Sequence, residues 1–269
     1  MTVIRVNDVN LNYEPSGKGE AIVFLHGYTG NSQDWANQIP LVSARCRAIA
    51  IDHRGHGKSE APAMEEAYSI KTFSEDVYAL LSKLGITRCC LVGHSMGGFM
   101  ALQLVLDHPE IVKAMVLVDT SSGEFEVAPG YAELRAKLDE LARAKGMKAA
   151  FEYDAAHNPV RIERFKRHPE LREVTRRKMM NTSVDGYVHV AKTFGKWQPV
   201  TGRLGEIQVP VLIFLGEEDT GFIRASQILK EGIRGSELIT VQGVGHSPHE
   251  EAPQVFNEAF LRFLSKIIW

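Results

Sequence analysis

The sequence predicts an α/β protein: a mostly parallel, doubly wound sheet interrupted once by a helical insertion. Three observations carry this. Short apolar runs recur without polar alternation, as in strands buried on both faces. Helical patterns separate those runs, and strands alternating with helices build parallel sheets. From residue 121 to 207 the strand rhythm stops while helical spacing continues.

In chain order, Val3 to Val6 and Val9 to Tyr13 read as paired edge strands. Ala21 to Leu25 is a compact apolar run between Gly19 and Gly27, and Arg47 to Ile51 is another that ends at Asp52. Ser69 to Leu84 has helical spacing, with Ile70, Phe73, Val77, Leu80, Leu81 and Leu84 on one face. Cys89 to Val92 is a strand, Gly97 to Leu106 a helix stopped at His108-Pro109, and Ala114 to Val118 the next strand. Helical segments follow at 132–148, 169–180 and 185–194. Strands resume at Val209 to Leu215 and Glu237 to Val241, and a helix over 253–268 closes the chain. The expected division is a core of 1–120 and 208–269 with a helical cap of 121–207.

The 269 residues, 44% hydrophobic and 24% charged, exclude a disordered or fibrous chain. A net charge of −2 gives no general reason to expect nucleic acid or an anionic membrane as partner. Cys46, Cys89 and Cys90 do not have the spacing of a disulfide scaffold or zinc cluster, and read as buried, inert thiols suited to a reducing cytosol. The N-terminus shows no apolar signal region, and no stretch approaches 18 apolar residues, so a cytoplasmic protein is expected.

The strongest local signal is Cys89-Cys-Leu-Val-Gly93-His94-Ser95-Met96-Gly97-Gly98-Phe99, an apolar strand, then Gly-x-Ser-x-Gly, then a helix. A sharp strand-to-helix turn holds the central hydroxyl out, and small residues two before and two after let backbone pass close by. The pentapeptide alone is a weak signal; the strand before it and the helix after it give it weight. The following helix points its N-terminus at the hydroxyl and favours negative charge there.

A serine hydroxyl is a poor nucleophile at pH 7, so Ser95 needs a base and the base needs an orienting carboxylate. Asp219 follows a strand through Gly216-Glu217-Glu218, and His246 lies in Gly243-Val-Gly-His-Ser-Pro-His-Glu just past the next strand. Both fall at carboxyl ends of strands, where sites of open α/β sheets lie. Asp119, Glu217 and Glu218 are rival acids. Asp219 is preferred because Gly216 permits a turn and the residue lies past its strand. His249 is a rival base; His246 is preferred because flanking Gly245 lets the loop approach. The bland reading of His249 is a partner of Glu250 or Glu251. His94 reads as a hydrogen-bonding support inside the turn.

Acyl chemistry puts negative charge on a carbonyl oxygen, which needs donors aimed at it in advance. The backbone N–H of Met96 is one candidate and that of Tyr28, after His26-Gly27 at a strand end, the other. Asp52-His-Arg54-Gly55-His-Gly57-Lys-Ser59 lacks phosphate-loop spacing and reads as a structural turn held by Asp52 and Arg54. No metal-ligand spacing and no dinucleotide motif occur, so no metal and no cofactor are expected.

Together, His26-Gly27, Asp52-x-Arg54-Gly55-x-Gly57-x-Ser59, Gly93-x-Ser95-x-Gly97-Gly98, Gly216-x-x-Asp219 and Gly245-His246 resemble the α/β-hydrolase fold family, in its small single-cap serine esterase branch. The resemblance covers nearly the whole chain. It implies an eight-stranded sheet with a helical cap after the sixth strand. It also implies a triad of Ser95, Asp219 and His246, with Met96 and Tyr28 as oxyanion donors. Branches with an Asp nucleophile, such as haloalkane dehalogenases and epoxide hydrolases, do not fit Ser95. Carbon–carbon bond hydrolases usually carry Asn where this chain has His94.

The leading expectation is a carboxylesterase acting on esters of small to medium acyl chains, working alone or as a homodimer on a small-molecule ester or lactone. Its rivals are an enol-lactone or carbon–carbon bond hydrolase on the same triad, for which cap residues such as Arg161, His157, His189 or Trp197 would face the substrate, and a weakly catalytic ligand receptor. His94, Tyr28, Phe125 and Trp197 are the candidate substrate-contacting residues, and Phe151, Phe165, Met179, Met180 and Phe194 further pocket candidates. Residues 121–207 hold 16 Lys and Arg against 12 Asp and Glu, a net of +4. Arg161–Arg167 and Arg172–Lys178 read as exposed helix faces of mixed charge.

Overall fold

A computed structural model describes residues 2–123, 125–126 and 129–269. The chain runs β1 (Thr2–Val6), β2 (Val9–Ser16), β3 (Ala21–Leu25), the short α1 (Ile39–Val42), β4 (Arg47–Ile51), α2 (Ile70–Lys83), β5 (Cys89–His94), α3 (Met96–Asp107) and β6 (Val112–Val118). Five helices follow: α4 (Tyr131–Lys145), α5 (Met147–His157), α6 (Pro159–Arg167), α7 (Glu170–Met180) and α8 (Val184–Thr193). The sheet resumes with β7 (Val211–Gly216), α9 (Ile223–Gly232) and β8 (Glu237–Val241), and the chain ends in the one-turn α10 (Pro248–Glu251) and α11 (Pro253–Leu264).

The eight strands lie in the order β1-β2-β4-β3-β5-β6-β7-β8. β2 pairs antiparallel with both β1 and β4, and every pairing from β4 to β8 is parallel. After β3 the chain steps outward to β4, then returns to lay β5 on the other side of β3, with Leu25 opposite Gly93. Such a reversal opens a crevice at the carboxyl ends of the two strands.

Both faces of the sheet are covered over β3 to β7, which is why those strands lack alternation. Val23 and Leu25 feed a core with Phe73, Leu80 and Met100. Ile22 and Phe24 feed the opposite one with Trp35, Phe256 and Phe260. α2 starts at Ser69, whose hydroxyl accepts the Thr72 N–H.

Helices α4 to α8 form a layer with its own small core around Leu138, Phe151, Met179 and Tyr187. The turn after β4 docks it. Asp52 is fixed by N–H groups of Ser32 at 2.7 Å and Lys58 at 2.9 Å, and Arg54 is paired with Asp76 at 2.7 Å. Gly55 then offers its carbonyl to the Ser183 N–H and hydroxyl. A Cβ on Gly55 would lie 2.6 Å from the Gly186 Cα, so the close approach requires glycine.

Several expectations need correction. The helix expected over 132–148 breaks at Gly146, whose φ is +82°, and the structure adds α5, α6 and α9. The terminal helix stops at Leu264. Cys89 and Cys90 are buried, but Cys46 is only partly so. Among the described residues no helix is long and apolar enough to cross a membrane.

Candidate active site

Ser95 sits between β5 and α3 with φ +50° and ψ −114°, a conformation costly for a residue with a side chain. Its neighbours leave no room for a gentler turn. A Cβ on Gly93 would lie 2.4 Å from the Gly97 carbonyl oxygen, and one on Gly97 2.1 Å from that of Leu25. Hydrogen bonds lock the strain in: the Ser95 N–H donates to the Val118 carbonyl at 2.9 Å, and the Thr120 hydroxyl donates to the Ser95 carbonyl at 2.7 Å. Thr29 and Asp119, at the ends of the neighbouring strands, also have positive φ.

His246 Nδ1 is 2.7 Å from Asp219 Oδ2. The aspartate is an acceptor, so Nδ1 carries the proton and Nε2 is left as the basic nitrogen. The loops holding the two residues touch because Gly216 has no side chain: a Cβ there would lie 1.9 Å from the Gly245 carbonyl oxygen. The sequence pointed to Gly245 for this approach; the closer constraint falls on Gly216.

Glu251 anchors the His246 loop from below. Its two oxygens accept the N–H groups of Gly245 and Ser247, each at 3.1 Å, and its charge is met by Arg164 from α6. The sequence reading had Glu251 only as a partner for His249. His249 is instead fully buried, stacked on Trp35 with ring centroids 4.4 Å apart, and burial pushes its pKa well down. His94 Nε2 lies 2.6 Å from the His246 carbonyl oxygen, so it donates there and fixes the loop from the nucleophile side. His26 Nδ1 lies 2.7 Å from the Gly27 carbonyl and its Nε2 accepts the His53 N–H, which joins the ends of β3 and β4. Burial takes its pKa down to about 3, so it is neutral.

The rival acids have other partners. Glu217 accepts the Gly243 N–H at 2.9 Å, and Glu218 pairs with Arg167. Asp119 is fully buried beside Asp219. Its Oδ1 accepts the Gly216 N–H at 2.9 Å, and its Oδ2 has no partner among the described residues other than that carboxylate. Burial, with the Asp219 charge next, holds its pKa well above the usual carboxylate range. A protonated Asp119 is therefore a donor that Asp219 can accept.

Ser95 and His246 line one cavity of about 210 Å³. Tyr28, His94, Phe99, Phe125 and Phe194 contribute to its wall, and α4, α5 and α6 contribute Arg135, Asp154 and Arg161. A second space of about 640 Å³ continues past Asp219, His246, Phe125 and Phe222 and is rimmed by Arg161 and Arg164. Tyr28 is held by the helical layer: its hydroxyl donates to the Tyr187 carbonyl and accepts from Arg135 at 3.0 Å.

Trp197 does not line the cavity that holds Ser95. Its ring stacks on Phe99 at 5.0 Å and its N–H donates to Gln103, so it backs the wall rather than forming it. Phe151 belongs to the helical layer's own core. The basic helix faces were expected to be solvated, yet Arg161, Arg164 and Lys178 turn inward, with side chains 26%, 15% and 18% exposed. Each meets a buried carboxylate from a distant segment or a neighbouring helix, a pairing that spacing within one helix does not reveal.

The alpha/beta hydrolase fold model matches residues 20–253, and the chain belongs to the α/β-hydrolase fold family. It is similar to the AB hydrolase superfamily protein YisY of Bacillus subtilis, with 30% identity over 264 residues, 95% of each chain. It is also similar to 3-oxoadipate enol-lactonase 2 of Acinetobacter baylyi, with 28% identity over 261 residues, 95% of this chain and 93% of that one. Among solved structures, an esterase from Exiguobacterium antarcticum superposes with a TM-score of 0.84 at 25% identity, covering 98% of this chain and 99% of the other.

Proposed function

We propose that the protein is a serine esterase that cleaves small to medium carboxylic esters through an acyl-enzyme on Ser95, His246 and Asp219. The observation that carries this reading is the 2.7 Å His246–Asp219 bond at a cavity that also holds the strained Ser95. With Nδ1 committed to Asp219, His246 Nε2 takes the Ser95 proton as the oxygen attacks the ester carbonyl. The developing oxyanion meets two backbone donors. Met96 opens α3, so its N–H has no carbonyl a turn behind it. The Tyr28 N–H has no acceptor among the described residues and follows the strand beside β5. His246 then protonates the departing alcohol, and water, deprotonated by the same histidine, releases the acid. The helical layer is read as the lid of this site.

The test is p-nitrophenyl butyrate hydrolysis by wild type and Ser95→Ala. Turnover by wild type with a loss of about 10⁴-fold or more in the variant supports the reading. Equal activity in both contradicts it. A lactone is the same chemistry with acid and alcohol tethered, and the similarity to an enol-lactonase over 95% of this chain favours assaying it as the second substrate class. A single ring-opened hydroxy acid or keto acid as product would separate it from ester cleavage.

A further inference from the structure

We propose that the physiological substrate carries a carboxylate, bound by the terminal nitrogens of Arg161 inside the cavity that holds Ser95. This rests on the esterase reading above and narrows its substrate class. Arg161 lines the Ser95 cavity, the larger space beyond it and the narrow cleft beside Gly27 and His94. It is held by one contact, its Nε donating to Asp154 Oδ2 at 3.2 Å. Asp154 is itself fixed, its other oxygen accepting from Asn158 at 2.8 Å. This grip orients the guanidinium from its stem side. The Nη1 and Nη2 groups make no hydrogen bond among the described residues, and that pair of donors has the geometry that meets a carboxylate side by side.

Arg135 and Arg164 nearby each already have a carboxylate partner. Arg135 stacks over Tyr187, 4.0 Å from its ring centroid, and is bonded to Tyr28 and Asp139. Arg164 is paired with Glu251, while its buried Nε has no hydrogen-bond partner among the described residues. It nonetheless sits close enough to Arg161 that the like charge helps burial to lower its pKa. An anion between the Arg161 fork and the cavity would relieve that repulsion. The remaining wall is largely aromatic, where a desolvated ion pair is stronger than in water.

The test compares kcat/KM for monomethyl succinate, glutarate and adipate with the uncharged methyl butyrate, valerate and hexanoate. Wild type, Arg161→Gln and Arg161→Lys are assayed, with circular dichroism to confirm folding. Gln preserves a donor for Asp154 and removes the charge. At least one half-ester is expected to exceed its uncharged counterpart by tenfold or more in wild type. Arg161→Gln should abolish that preference by raising KM for the half-esters far more than for the uncharged esters. Arg161→Lys should keep part of it. No preference for any half-ester, or an equal loss on both series in Arg161→Gln, overturns the proposal. Undiminished hydrolysis of the methyl esters by Ser95→Ala would instead overturn the esterase reading, so the two failures are distinguishable.

Discussion

Asp119 shows why a residue's chemistry depends on its neighbours. As a sequence symbol it is a strand-end aspartate and a rival, less favoured than Asp219, for the orienting acid. In the fold, burial first and the carboxylate beside it second raise its pKa and favour the protonated form. A carboxyl whose pKa is raised on folding stabilises the protein fully below its unfolded value near 4. It loses that contribution as pH rises through the folded value. Asp119→Asn keeps a neutral donor, so esterase activity should stay within a few-fold of wild type. The variant's melting temperature should gain on wild type as pH rises from 5 to 9. A pH-independent difference would show that Asp119 does not hold its proton in the fold. The turns that bring Ser95, Asp219 and His246 to one edge of the sheet were legible because glycines and strand ends mark turns locally. The state of Asp119 was not, because it is set first by its burial in the fold and then by a residue 100 positions away.

At the scale of elements, the compact apolar strands β3 and β4 were readable to the residue, since burial on both faces leaves a continuous signature; β8 was also readable, although it is a half-exposed strand at the sheet edge. Helix α6 was not. It has no buried residue, and Asn158 capping its start with Pro159 behind is the local cue. Its role lies in arginines that reach other elements: Arg161, Arg164 and Arg167. Arg164 and Glu251 join α6 to the turn that carries His246, and Glu251 is 3% exposed. Arg164→Met would leave that charge buried without its partner, at a cost of about 3–5 kcal/mol. Urea unfolding should show this loss, and kcat should fall about tenfold or more as the His246 loop loosens. A change within experimental scatter in both would mean the link is not a structural strap.

For the whole molecule, the reversal between β3, β4 and β5 puts the loops after β3 and β5 side by side, and β6 to β8 add Asp119, Asp219 and His246 along the same edge. The helical layer closes this edge through the turn after β4. Arg54, with no side-chain exposure, ties that turn to Asp76. Arg54→Met should cost about 3–5 kcal/mol in urea unfolding by stranding Asp76. It should also disturb the docking of α8 on Gly55, seen as faster proteolysis between residues 131 and 193. A stable variant with an unchanged cleavage pattern would show that the layer is held elsewhere.

The central claim is that one activated serine does the covalent chemistry, and titration with diethyl p-nitrophenyl phosphate tests it most directly. The reagent leaves a phosphoryl group on an activated serine that the histidine cannot readily release. The expected result is one equivalent of p-nitrophenol per chain, esterase activity lost in step, and a diethylphosphoryl adduct mapped to Ser95, with none in Ser95→Ala or His246→Ala. An adduct on another residue that tracks the loss of activity, or full activity retained by Ser95→Ala, would contradict the account.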